Sequence, residues 1–175
     1  MELIDRIGLL CVIIDSGNEH KIVGRTMLQK IAYFCKYLGW NVGHYQLHYY
    51  GPFSYDLTDT IKTAENAELI IQGIGSPHTF ELTDEGRDVM KKFIENFCDS
   101  KKVKKIRKLV SSLSDWKKGE IELAATIDFV KRNSSDLKKN ELLEKVGRIK
   151  ENFEPSDIKN AHEKWASCVH IKHPD

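Results

Sequence analysis

The sequence predicts an α+β protein that is mostly helical, and three observations carry this prediction. Apolar residues recur at helical spacing through most of the chain. The period changes to two around Tyr45, Leu47 and Tyr49, which is typical of a strand. A Gly-Pro step at Gly51 and a Ser54 that can cap a helix follow at once, so we expect a helix to begin there.

The composition is that of an ordinary globular protein. The chain has 175 residues, of which 41% are hydrophobic and 30% charged, and its net charge is only +1. No global charge excess therefore favours nucleic acid or a membrane. Four widely spaced cysteines without a C-x-x-C pair, and the lack of a basic leader or of an apolar run long enough to span a bilayer, predict a cytoplasmic protein without a membrane partner.

The order of elements predicts a winged-helix-like domain over residues 1–98. Pro52 cannot donate to a sheet ladder, so the strand is expected to finish by Gly51. Gly39 is the expected C-cap of the second helix, and Thr83 the N-cap of the helix after the hairpin. The predicted elements are helices over 2–15, 25–38, 55–67 and 84–97, a strand over 45–49, and a hairpin of 69–71 and 79–82 around the Gly73–Pro77 turn; the last helix is expected to bury Val89, Met90, Phe93 and Phe97.

Residues 99–175 are predicted to form a C-terminal helical segment packed on or beside the first domain. Its first helix repeats apolar residues at Val103, Ile106, Val110 and Leu113. Three further amphipathic stretches, over 118–132, 137–150 and from Pro155 onward, are expected to close the chain as a small helical bundle.

Three motifs of the first domain, taken together, resemble the YwgA-like family of prokaryotic proteins. These are Arg25–Tyr33, the run Tyr49–Ser54 with Leu57, and Leu82–Gly86. They are similar, more distantly, to the Panacea domain of SocA-like antitoxins, which shares a Lys-Leu-Gln-Lys-like helix and a Tyr-Gly-Pro step. The resemblance covers residues 1–98 best and the closing helices loosely. It implies a winged-helix-like fold and a regulatory or toxin-neutralising role, and it supplies no catalytic residues.

Two regions were weighed as contacts for nucleic acid. The segment 55–68 stands where a winged helix reads DNA, but four acids against Lys62 give it a net charge of −3, which is unfavourable beside a polyanion. The helix after residue 99 instead places six cations within eight residues, although such a run is also common on solvated helix faces. The candidate nucleic-acid-binding residues are Lys101, Lys102, Lys104, Lys105, Arg107 and Lys108.

Aromatic residues cluster around the Gly51-Pro52 step. Such side chains can anchor a protein interface, and Tyr50, Phe53 and Tyr55 are the candidates for that role. The favoured alternative is that these aromatics pack on the second helix and hold the turn. Tyr50 lies on the more polar face of the strand and is expected to be the most available to a partner.

Signals for catalysis and metal binding are weak. The Gly73-Ile74-Gly75 step lacks the third glycine and the flanking elements of a dinucleotide fingerprint, so no cofactor is predicted. Cys168, His170 and His173 form a Cys-x-His-x-x-His tail without a fourth ligand or a fixed scaffold, so no metal site is predicted either.

The leading hypothesis for the function is a non-enzymatic winged-helix-like regulator that associates with duplex DNA through its lysine-rich face, with the Gly73–Pro77 turn as a second contact. The alternative is an antitoxin-like protein-binding module, whose partner is a protein such as a toxin. An enzyme with a spatially assembled site is the third possibility, and a homodimer stays open.

Overall fold

The computed structural model describes residues 2–134 and 136–168, and it is mostly helical with small sheets, as the sequence predicts. The helices are α1 (Leu3–Asp15), α2 (Arg25–Cys35), α3 (Tyr55–Asn66), α4 (Asp84–Phe97), α5 (Ser100–Ser114), α6 (Lys118–Arg132), α7 (Lys139–Ile149) and α8 (Pro155–Ser167). The strands are β1 (Lys21–Val23), β2 (Gln46–His48), β3 (Gly51–Phe53), β4 (Ile70–Gln72) and β5 (Thr79–Leu82).

The larger sheet is antiparallel and has the strand order β1-β5-β4. The predicted hairpin is confirmed as β4 and β5, with Ile71 opposite Glu81. On its other edge β5 pairs with β1, where Ile22 lies opposite Phe80. The sequence did not predict β1, because three residues are too short to show an alternating pattern.

The predicted strand ends before Gly51 as expected, at His48, but a second strand that the sequence did not predict follows at once and contains Pro52. The chain turns at Tyr49 and Tyr50 and returns as β3, with Pro52 opposite Leu47 in an antiparallel pair. Opposite residues in an antiparallel ladder alternate between hydrogen-bonded and non-hydrogen-bonded pairs. Every second residue of a strand therefore needs no N–H donor toward the neighbouring strand. The Pro52 carbonyl faces away from β2 and accepts a hydrogen bond from Lys30 Nζ at 2.7 Å.

The two predicted N-caps are confirmed by their contacts, whereas α2 ends at Cys35, before the predicted C-cap Gly39. The Ser54 hydroxyl accepts a hydrogen bond from the backbone N–H of Leu57 at 3.2 Å and starts α3. The Thr83 hydroxyl accepts one from Gly86 at 2.9 Å and starts α4. After α2 a 3-10 turn over 36–38 ends at Gly39, whose φ of 82° is left-handed.

The main core continues across residue 98. It joins buried side chains of α1 and α2 with Val103, Ile106 and Val110 of α5 and with Ala124 of α6. A second cluster contains α6, α7 and α8, through residues such as Leu123. Helix α6 therefore lies between two apolar groups, and this explains why nearly all of its faces are buried.

One predicted core residue of α4 is exposed. Met90 and Phe93 are buried as expected, whereas Phe97 is 70% exposed. It stacks on Phe93 with ring centroids 5.8 Å apart. Phe97 is the last residue of α4, and the chain beyond it turns into α5 rather than covering its ring.

Candidate functional site: an aromatic hairpin and a basic helix face

All six candidate cations lie exposed on α5. We call Lys101, Lys102, Lys104, Lys105, Arg107 and Lys108 the basic face. Its helix is capped by Asp99, whose carboxylate accepts the Lys101 N–H at 2.7 Å. The opposite side of α5 is apolar and buried through Val103, Ile106 and Leu109. The charges therefore lie on the solvent side of an amphipathic helix, as the spacing predicts.

Few acids neutralise the basic face. Arg107 pairs with Asp15 of α1 at 3.4 Å. Within the part of the chain that the structure describes, the five lysines of this face form no salt bridge. Helix α5 packs on α1 and α2, whereas the acidic α3 packs on α1 and β4. The two helices thus share α1 as a packing partner and differ in the second one, which is α2 for α5 and β4 for α3.

The β2–β3 hairpin carries the other candidate surface, which we call the aromatic hairpin and define as residues 46–55. Tyr49, Tyr50 and Tyr55 are 68%, 47% and 58% exposed. Phe53 is half-buried. Its ring makes an edge contact with Tyr55, at a centroid distance of 5.0 Å. The structure therefore presents the three tyrosines to solvent instead of packing them on α2.

Exposed aromatic rings also contact each other at the tip of the hairpin. Tyr49 and Tyr50 meet edge to face with centroids 4.8 Å apart. The ammonium group of Lys118, at the start of α6, lies 5.0 Å from the centre of the Tyr50 ring, which is within the range of a cation–π contact. The tip is a contiguous aromatic surface rather than a set of scattered side chains.

Gly51 allows the hairpin to lie directly on α6. Its φ of +82° is left-handed, and a Cβ at this position would lie 2.6 Å from Thr126 Oγ1 and 3.3 Å from the Glu122 carbonyl oxygen. Any larger residue would need both an unfavourable backbone conformation and a shift of α6. The glycine therefore sets the distance between the hairpin and the central helix.

Four buried polar side chains hold the hairpin from below. We call Gln29, Lys30, Glu122 and Lys150 the polar clamp. The Gln29 amide makes two hydrogen bonds with the backbone of Ser54, donating to its carbonyl at 3.0 Å and accepting from its N–H at 2.9 Å. Lys30 donates to the Pro52 carbonyl, as described above. One turn of α2 thus bonds to the backbone on both sides of Phe53.

The other half of the polar clamp comes from the C-terminal helices. Lys150, at the end of α7, donates to the Tyr49 carbonyl and to Glu122 Oε1, the latter at 2.6 Å. Both partners of this ion pair are nearly inaccessible, with 1% of the Lys150 side chain and 6% of the Glu122 side chain exposed. A buried pair of this kind is strongly coupled to its surroundings, since removing either partner leaves an uncompensated charge.

Burial lowers the pKa of Lys30 to about 7, because desolvation disfavours its charged form. The negative charge of Glu122 raises the pKa of Lys30, whereas the positive charge of Lys150 lowers it further. Lys30 therefore changes its protonation near neutral pH, unlike an ordinary surface lysine. Its contact with the Pro52 carbonyl persists in either state, because a neutral amine also donates hydrogen bonds.

Sequence reasoning missed the polar clamp, although a signal for it exists. Lys30 lies between Met27 and Phe34 on the most apolar side of α2, and Glu122 lies between two aliphatic residues of α6. Helices that are apolar on nearly every face are buried, so a charged residue inside them must find a buried partner. The identity of those partners depends on contacts that the spacing does not show.

One acidic side chain of α3 is held by hydrogen bonds at the N-terminus of the helix. Asp56 accepts hydrogen bonds from the His44 backbone N–H at 2.8 Å and from its ring Nδ1 at 3.1 Å. These bonds lower the pKa of Asp56. The carboxylate therefore stays negative at the positive end of the helix, where it is favourable.

Metal ligands and membrane spans were also considered. Among residues 2–134 and 136–168, no group of three or more His, Cys, Asp or Glu side chains is arranged to bind a metal. Cys168 is half-buried against the main core, while His170 and His173 lie outside the described residues. In the same part of the chain, each helix is too short or too polar to cross a bilayer.

Comparison with known proteins adds no relative. No family model matches the chain, and no curated protein sequence matches it significantly. The resemblance to the YwgA-like and Panacea families therefore stays a prediction from the motifs.

Proposed function

We propose that this chain is a non-enzymatic, winged-helix-like regulatory protein that acts by binding another protein through its aromatic hairpin. The order of α1, β1, α2, α3 and the β4–β5 hairpin, with β1 paired to β5, supports the winged-helix-like part of this proposal. The aromatic hairpin is an addition to that plan, inserted between α2 and α3. An inserted element with a solvent-facing surface is a natural place for a specific function.

The observation that carries the proposal is a hairpin that is bonded from below and exposes three tyrosines, with Tyr49 and Tyr50 in contact at its tip and Tyr55 beside Phe53. Contiguous exposed apolar surface on a monomer often marks an interaction site. Tyrosine is enriched at the energetic centre of protein interfaces, because it gives a large contact area and a hydroxyl with few rotatable bonds. The polar clamp fixes the backbone of the hairpin in advance, so a partner need not order it on binding. The antitoxin-type module that the motifs imply would use such a surface.

Affinity capture from the source cell tests this function. The tagged chain should retain a protein partner, and the combined substitutions Tyr49→Ala, Tyr50→Ala and Tyr55→Ala should abolish capture. A matched control replaces Lys101, Lys104, Lys105 and Lys108 with Glu and should keep the partner. Capture that survives the tyrosine substitutions, or the absence of any partner, would contradict the proposal.

The second candidate function is association with duplex DNA through the basic face. The exposed cations favour it, since each phosphate contact releases counterions and adds salt-sensitive affinity. The acidic α3 argues against entry of that helix into the major groove, so binding would be to the backbone and weakly selective.

A mobility-shift assay with duplex DNA separates the two functions. The four-lysine substitution defined above should remove any shift, and the native shift should weaken steeply with salt. The control replaces Lys131, Lys138, Lys139 and Lys159, which are exposed but lie outside the basic face, with Glu. Both variants change the net charge equally, so an equal loss in both would show only a general charge effect. No shift of the native protein at low salt would exclude this candidate.

A further inference from the structure

A pocket of about 260 Å³ lies beside the aromatic hairpin, between α2, α3 and the larger sheet. Its apolar wall consists of Phe53, Ile61 and Phe80. Polar side chains form the rest of the lining, and these are Arg25, Gln29, Thr58, Lys62, Glu65 and Gln72. We call this cavity the side pocket.

Phe53 joins the side pocket to the proposed interface. Its ring lines the pocket and also contacts Tyr55 and His48 of the aromatic hairpin, at centroid distances of 5.0 and 5.4 Å. Gln29 likewise lines the pocket while bonding to the Ser54 backbone. The side pocket and the aromatic hairpin therefore share Phe53 and lie next to each other.

The size of the side pocket favours a single side chain. Sites for small molecules and cofactors usually enclose about 300 to 1,000 Å³. At about 260 Å³ the side pocket lies at the lower end of that scale. A volume of this size accommodates one large side chain, such as the residue that anchors the centre of a protein interface.

The charges at the rim favour an acidic neighbour for that residue. Two cations, Arg25 and Lys62, face one carboxylate, Glu65. In the amide orientation that satisfies its neighbours, Gln72 donates to Glu65 at 2.8 Å and accepts from Arg25 at 3.0 Å. Lys62 is exposed and forms no salt bridge within the described residues. The lining thus carries one more positive than negative charge, and because α3 as a whole is acidic, this positive charge is confined to the pocket rim.

We infer that the side pocket receives a large apolar side chain of a partner protein, which an adjacent Asp or Glu of the same segment tethers to Lys62. This inference rests on the proposed function and names the chemistry of its partner. The buried apolar anchor provides affinity, and the ion pair with Lys62 fixes the position of the bound segment along the pocket.

A peptide selection on the full chain tests the inference, with a phage-displayed library of random linear dodecapeptides as the probe. Selected peptides should share a large apolar residue next to Asp or Glu. Their synthetic forms are then titrated against four proteins: the native chain, Lys62→Trp, Lys62→Met, and the double variant Tyr49→Ala with Tyr50→Ala. Lys62→Trp fills the pocket from its exposed rim, whereas Lys62→Met keeps the aliphatic stem and removes only the charge.

We expect Lys62→Trp to weaken peptide binding by about 10-fold or more, as loss of an anchoring contact does. Lys62→Met should weaken it by about 2- to 5-fold, as loss of an exposed ion pair does. Binding that is lost in the tyrosine variant but unchanged in Lys62→Trp would overturn the pocket and leave the hairpin interface standing. Binding unchanged in every variant would overturn both.

Other occupants are distinguishable in the same series. If no peptide is selected, the inference fails. If phenylacetate raises the melting temperature of the native chain but not of Lys62→Trp while no peptide is selected, the pocket is a small-molecule site. Self-association in sedimentation that is lost in Lys62→Trp would assign the pocket to a second copy of the chain. Each of these two results also overturns the inference.

Discussion

The aromatic hairpin and the basic face are both exposed, yet they are built in opposite ways. Beneath the hairpin lie buried charged and amide groups, and apolar rings face the solvent. Beneath the basic face lie buried aliphatic residues, and charges face the solvent. The hairpin therefore inverts the usual arrangement of a globular protein, whereas the basic face follows it.

This difference teaches what each surface is suited to recognise. A hairpin whose backbone is bonded from below presents one shape, and that favours a partner of complementary shape. Lysines on flexible stems present a positive field with little fixed geometry, and that favours a polyanion without sequence selectivity. Four experiments test this difference between the two surfaces.

The largest effect is expected at the buried ion pair. Glu122→Leu leaves Lys150 charged and buried, so the free energy of unfolding should fall by about 3 to 5 kcal/mol. Glu120→Leu is the matched control on the same helix, since Glu120 pairs with Lys164 at 2.8 Å with both side chains more than a third exposed. Its cost should be about 1 to 2 kcal/mol, because it removes an exposed ion pair and the bond that Glu120 accepts from the Lys117 N–H at 2.8 Å at the start of α6. Urea unfolding measures both, and equal losses would contradict a special role for the clamp.

Two glycines with the same φ test the close approach of the hairpin to α6. Gly51 and Gly39 both have φ of +82°, but a Cβ on Gly39 would meet no atom within 4 Å. Both alanine substitutions place a residue with a Cβ at a left-handed φ, which should lower the free energy of unfolding by about 1 to 2 kcal/mol. Gly51→Ala should lose about 1 to 3 kcal/mol more, because it also overpacks against Thr126. Similar losses in the two variants would show that α6 shifts away from the added methyl group without a loss of stability.

The pH dependence of stability tests the protonation of Lys30. Its pKa is lowered to about 7 in the folded chain, from an ordinary value of 10.5. Between these values the unfolded chain binds the proton and the folded chain does not, so stability should rise with pH. Below pH 7 both states hold the proton, and the cost of burying the charge is fully present.

Lys30→Met removes this titration and keeps the aliphatic stem. The stability of the native chain relative to the variant should increase between pH 7 and 9 by at most about 1.4 kcal/mol per pH unit. Unfolding curves at fixed ionic strength measure the difference, which cancels the other titrating groups. Parallel profiles for the two proteins would show that Lys30 stays charged.

The smallest effect is expected at the exposed tyrosines. Tyr49→Ala and Tyr50→Ala should change the free energy of unfolding by about 0.5 kcal/mol or less, as surface substitutions usually do. Tyr33→Phe is the contrast, because the buried Tyr33 hydroxyl donates to Asp128 at 2.8 Å. Its loss should cost about 1 to 3 kcal/mol. A large loss at Tyr49 would mean that the ring holds the turn and is not free for a partner.

Much of the local structure could be predicted because its causes are local. Ser54 and Thr83 cap the helices they precede, since a hydroxyl satisfies N–H groups two or three residues ahead. The apolar seam of α5 and its cationic side follow from helical spacing. The short strand β1 and the return strand β3 were missed, because three-residue strands are defined by their partners and not by their own pattern.

The candidate sites were predictable to different degrees for the same reason. The exposure of the basic face follows from the alternation of lysines with aliphatic residues along one helix. The exposure of Tyr49 and Tyr55 does not, because an aromatic residue near a strand is usually packed. Only the contacts of β3 with α2 and α6 leave these rings on the outer side.

The lysines show most plainly which properties of this protein the amino-acid order determines by itself. The order placed Lys101 and Lys105 on a solvent-facing helix surface, because helical periodicity acts within a few residues. It does not give the buried partners of Lys30 and Lys150, which are each 1% exposed. Lys150 bonds to the carbonyl of Tyr49, 101 residues away, and that contact exists only once α6 and α7 have packed against the hairpin. Burial is a long-range property of the packed chain, and it turns an ordinary lysine into part of a clamp.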